Sequence, residues 1–178
     1  MSLLLFLAAP ALAAPLANLG DLTITEIQSD TSSISEYYGE WFEIYNNSHA
    51  TQDLQGILLS VSQDSGSSWD TFTVTGSLVV GVDDYVVFGV SDNTNVHDPD
   101  YNGNVPIDYE YKFFDVNDPN THFDIKLSQS WMQVATSSGS LLDEVSWDPS
   151  WGALSDNALQ VSLNAYKVEW ANDFPDNW

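Results

Sequence analysis

Apolar and polar residues alternate with a period of two along much of this chain, and a helical period is hard to find. Residues 56–62 set Ile57, Leu59 and Val61 on one face and Leu58, Ser60 and Ser62 on the other. Residues 123–127 repeat the pattern, with Phe123, Ile125 and Leu127 opposite Asp124 and Lys126. Alternation of this kind marks antiparallel strands with one face in a core and one in water. Similar runs, bounded by clusters of Gly, Pro, Asn, Asp and Ser, predict strands at 22–28, 41–45, 56–62, 71–74, 85–88, 123–127, 131–135, 141–147 and 160–163. Many short strands without helices between them predict an all-β fold, a sandwich or barrel. The polar stretches 29–39 and 91–108 predict long loops.

The first residues follow a different rule. Residues 1–9, MSLLLFLAA, are apolar and lead into Pro10, Ala11, Leu12 and Ala13. An apolar run ending in a small-residue A-x-A site predicts a signal peptide over 1–13, with cleavage after Ala13, although no basic residue precedes the run. The run is too short to span a bilayer and no other stretch approaches that length, so no membrane insertion is expected. The remainder fits one domain, and 43% hydrophobic residues with seven Trp, eight Tyr and eight Phe suffice for its core.

Charge narrows the partners. The chain carries 26 acidic residues against Lys112, Lys126 and Lys167, with no Arg. A nucleic-acid binder needs cations to replace phosphate counterions, so no nucleic-acid partner is expected, and an anionic membrane repels the chain for the same reason. Cations, basic partners and neutral glycans remain compatible. Cysteine is absent, which removes disulfides, zinc thiolates and thiol nucleophiles.

An ordered set of motifs then becomes visible: LTITEI at 22–27, EWFEIYN at 40–46, DLQGILLS at 53–60, FTVTGSLVVGVDDYVVFG at 72–89, NGNVPIDY at 102–109, LLDEVSW at 141–147 and NDFPDNW at 172–178. In this order and spacing the chain resembles the lamin tail domain family, in particular its secreted prokaryotic members, over 21–178. The resemblance implies an immunoglobulin-like antiparallel β-sandwich and an interaction or structural role outside the cell or at its surface, with an extracellular protein or glycan as partner. The family often has Trp after the Gly of the third strand, where Ile57 follows Gly56 here. The basic surface of nuclear lamin tails is missing, so DNA binding does not carry over.

Candidate chemistry is set against this frame. Glycoside hydrolysis needs two carboxyl groups at a fixed separation, and Glu26, Glu40, Glu43, Asp143 and Glu144 could supply a pair. With so many acids, pairs arise by chance. Glu26 is in phase with Leu22 and Ile24 and points inward unless a bulge intervenes, as a structural, hydrogen-bonded carboxylate. His49, His97 and His122 lie in or beside predicted turns, with no nucleophile elbow around any serine. No catalytic residue and no required cofactor are expected. Asp98, Asp100 and Asn102, followed by Gly103, match the first half of a calcium loop, while Tyr109 stands where its closing Glu belongs. Trp69, Trp147, Trp151, Trp170 and Trp178 fall near strand ends or loops. Trp69 and Trp151 are the candidate ligand-binding residues of an alternative carbohydrate-binding function, against capping or core roles. Asn46-Asn47-Ser48 is a glycosylation sequon.

Overall fold

The computed structural model of the chain describes residues 16, 18–29, 39–90, 105–111, 114–115, 118–125, 130–147, 151 and 158–161, with backbone alone at 114–115 and 118–122. Its strands are β1 (Leu22–Gln28), β2 (Trp41–Asn46), β3 (Gln52–Asp53), β4 (Leu58–Ser62), β5 (Asp70–Thr73), β6 (Val79–Val80), β7 (Tyr85–Val90), β8 (Tyr109–Tyr111), β9 (Phe114–Asp115), β10 (Asp118–His122), β11 (Ser130–Ala135), β12 (Leu141–Trp147) and β13 (Leu159–Gln160). They form a five-stranded sheet, β13-β1-β2-β7-β8, a four-stranded sheet, β12-β11-β4-β5, and the pairs β3-β6 and β9-β10. All pairings are antiparallel except β7 with β8, which is parallel. The fold is the expected all-β, immunoglobulin-like sandwich.

The core comes from the inward halves of the alternating strands. Leu22, Ile24, Ile27, Phe42, Ile44, Val86, Phe88 and Val90 from one sheet meet Leu59, Val61, Met132, Val134, Leu142, Val145 and Trp147 from the other, all buried. Ile57, Leu59 and Val61 are on the inward face as the sequence pattern requires. Gly56 precedes them at φ +86°, a left-handed conformation that a Cβ disfavours, and its N–H donates to the carbonyl of Val74.

Each open side of the sandwich is closed differently. At β5 and β8, Phe72 stacks on Tyr109 with ring centroids 6.0 Å apart and on Tyr111 at 5.2 Å, and Phe123 meets Phe72 edge-on at 4.8 Å. At β1 and β12, the carbonyl of Leu142 accepts from the Gly20 N–H and the Asp143 carboxylate accepts from the Ile24 N–H.

Two sequence expectations need correction. The strand expected at 123–127 is absent from its described part, and the strand is β10, immediately before it. The reason is a side chain: the Ile125 N–H donates to Glu40 Oε2 at 3.0 Å, where a ladder would need a backbone carbonyl. Phe123 and Ile125 enter the core as expected, but Asp124 between them is buried too. The wet outer face also holds for one sheet only. On β4, β5, β11 and β12 it carries Ser60 bonded to Thr71, and Gln133 bonded to Glu144. On the five-stranded sheet, Thr23, Gln28, Trp41 and Tyr45 face outward and are nevertheless buried. Ile107 packs against that face at Gly89, and the Tyr45 ring meets the Tyr85 ring at a tilt while its hydroxyl donates to Asp83.

Strands β3, β6, β8 and β9 went unseen in the sequence because two or three residues are too few to show alternation.

Candidate functional site

Two of the five candidate carboxylates lie inside the protein and bind its backbone. Glu40, just before β2, is fully buried and receives the Ile125 N–H. Asp143 is in phase with Val145 and Trp147, so it points inward from β12, and its Oδ2 lies 2.7 Å from the Ile24 nitrogen on the opposite sheet. A buried carboxylate needs donors, and a backbone N–H supplies one to a single oxygen of each here. Beside Glu40, the buried Tyr111 hydroxyl has no hydrogen-bond partner. Burial first, then the charges of Glu40 and Asp124, push its ionisation well above the usual tyrosine range, so the phenol stays neutral. Asp124 Oδ2 accepts from Gln63 at 3.2 Å.

Among the five candidate carboxylates, Glu26 and Glu43 form the pair brought together across two strands. The bulge that the sequence left open is present: Ile24 opposes Ile44, Glu26 opposes Glu43, and Thr25 is the extra residue. The bulge turns Glu26 away from the core, onto the outer face with Glu43, and restores Ile27 to the inside. Both are half-buried. Burial raises the Glu43 carboxyl above its ordinary value, and burial together with the Glu43 charge raises that of Glu26. Thr25 Oγ1 donates to Glu43 at 2.7 Å and Gln160 Nε2 to Glu26 at 3.1 Å. A carboxyl raised by a neighbouring carboxylate can serve as a general acid. Equally, two like charges opposite each other on a sheet produce the same shift with no substrate involved.

The remaining candidates are scattered. Trp69 closes the β4–β5 loop, half exposed, with its indole against Gly66, where a Cβ would lie 3.4 Å from the ring. Asp64 organises that loop: its carboxylate accepts from the Ser68 Oγ and N–H and from Ser62 Oγ, which hold it down to about 2. Trp151 is half-buried against the core, and Trp147 is part of it. Asp98, Asp100 and Asn102 lie outside the described residues, as do Trp170, Trp178 and His97. His122 belongs to β10 and His49 is exposed in the loop after β2. Among the described residues no group of three or more His, Asp or Glu is placed to hold a metal, and no helix is long and apolar enough to cross a membrane.

One structural residue escaped the sequence reading. Asn46, the acceptor of the sequon, is fully buried. Its Nδ2, the atom a glycan would occupy, donates to the carbonyls of Ala50 at 2.9 Å and Gly81 at 2.7 Å, and its Oδ1 accepts from Ser48. An Asn closing a strand before a polar turn is the signal for such a role.

Comparison with known proteins matches the chain to one family model, Lamin Tail Domain, over residues 15–149. No curated protein matches it.

Proposed function

The chain belongs to the lamin tail domain family, an immunoglobulin-like binding or structural module, and on that premise we propose that it acts outside the cell or at its surface, without catalysis, by holding a protein or glycan partner. The observation that carries this reading is the work its carboxylates do. Glu40 and Asp143 accept backbone N–H groups in the interior, which leaves Glu26 and Glu43 as the pair brought together among the five candidate carboxylates. That pair lies on a sheet face, each carboxylate already accepting from a neutral side chain. Export is tested by sequencing the N-terminus of protein recovered from culture medium. An N-terminus at Ala14 supports it, and a full-length chain kept inside the cell contradicts it.

Carbohydrate binding is the second reading, supported by the half-buried Trp69 on a loop fixed by Asp64. Ordered aromatic surface stacks on sugar rings at small entropic cost. Retention on soluble or insoluble glycans that disappears in Trp69→Ala or Trp151→Ala supports it, and no retention on any glycan removes it.

A further inference from the structure

The exposed large apolar side chains of the described residues are Leu19, Val79, Val82, Tyr85 and Leu141. Strand register puts all five at one end of the sandwich. Leu22 at the start of β1 opposes Asn46 at the end of β2, and Tyr45 opposes Tyr85 at the start of β7. Val79 and Val82 flank the turn that leads into β7, and the β6 strand carrying Val79 pairs with β3 just after β2. The Gly20–Leu142 hydrogen bond brings Leu19 and Leu141 to the same end. Val79 is the most open, at 64%. Isolated apolar residues on a surface need no explanation, but their confinement to one end does.

The same end is acidic. Asp53, Asp83 and Asp84 are exposed there and Asp21 is half exposed. Ser77 Oγ and the N–H groups of Gln55 and Leu78 keep Asp53 ionised by lowering its carboxyl below the ordinary aspartate value. No Lys or Arg occurs among the described residues.

We propose that this end of the sandwich docks a cationic peptide segment, whose apolar side chains cover Val79, Val82 and their neighbours while its Lys or Arg side chains meet Asp21, Asp53, Asp83 and Asp84. The inference rests on the binding-module reading and names its surface and partner class. Charge selects the occupant. A second copy brings the same net charge of −23, and an anionic lipid surface brings the same sign.

The test is fluorescence anisotropy of the full chain with three labelled peptides of equal length: alternating Lys and Leu, alternating Lys and Ser, alternating Glu and Leu. The Lys-Leu peptide binds, about tenfold or more tighter than Lys-Ser, and the Glu-Leu peptide does not bind. Val79→Ser/Val82→Ser and, independently, Leu19→Ser/Leu141→Ser each weaken Lys-Leu binding about tenfold without lowering the melting temperature. Asp83→Asn/Asp84→Asn weakens it and flattens its salt dependence. Equal binding of Lys-Leu and Lys-Ser, or unchanged affinity in both apolar double variants, overturns the proposal. So does self-association of the wild type that Val79→Ser/Val82→Ser abolishes, which assigns the face to a second copy. Glycan retention with no peptide binding leaves the module reading standing and removes this inference alone.

Discussion

Asp143 Oδ2 accepts the backbone N–H of Ile24 at 2.7 Å, across 119 residues of sequence and from one sheet of the sandwich to the other. Replacing Asp143 by Ala strands that buried N–H and opens the β1–β12 side. The expected loss is about 3 kcal/mol, within the range for removing one partner of a buried charged hydrogen bond. Asp143→Asn keeps an acceptor and loses less. Urea unfolding of both variants checks the order, and equal stability of wild type and Asp143→Ala contradicts the role.

The Glu26–Glu43 pair gives the protein a characteristic acid response. Both carboxyls are raised, so the folded protein binds protons before the unfolded chain does. Stability therefore rises as pH falls through the raised values and is lost as pH climbs through them. Asp53 and Asp64 act in the opposite sense: what they contribute is present above the ordinary aspartate value of 3.8 and lost as pH falls, toward about 2 for Asp64. Melting temperature should peak on the acid side of neutrality. Glu43→Gln should flatten the rise and stabilise the protein at neutral pH by a few tenths to about 1 kcal/mol. A melting temperature that falls steadily from pH 7 to pH 5 excludes this account of the pair.

Gly89 lies opposite Trp41 and Glu110, with Ile107 folded over it. A Cβ there would fall 2.9 Å from Ile107 Cγ1 and nearer still to Cδ1. Gly89→Ala should cost about 1–3 kcal/mol by overpacking. Ile107→Ala in the same chain should recover part of that loss in a double-mutant cycle, whereas additive losses would place Ile107 elsewhere.

The fold is expected to need no cofactor. A cooperative melt should persist in a chelator. A rise of several degrees in millimolar calcium, abolished by Asp98→Asn/Asp100→Asn, would instead establish a calcium site at Asp98, Asp100 and Asn102.

Much of this architecture could be read from residue order. Alternation located β1, β2, β4, β11 and β12 to within a residue or two, because each strand has one face in the core. Even the β1 bulge left a trace, since Ile27 is out of phase with Leu22 and Ile24. Three features left none. Glu40 replaces a ladder partner for Ile125, and nothing local to 123–127 reports a side chain 85 residues away. The outer face of the five-stranded sheet is covered by contacts such as Ile107 on Gly89, which alternation within one strand cannot signal. The clustering of exposed apolar residues at one end depends on register between distant strands, so it emerges only from the pairing.

The central claim is that the carboxylates serve the fold and the protein works by binding. Product formation over a panel of chromogenic glycosides, measured for wild type and for a folded Glu26→Gln/Glu43→Gln variant, tests it most directly. The account predicts no turnover by either protein. Turnover by the wild type that the folded double variant has lost would contradict it.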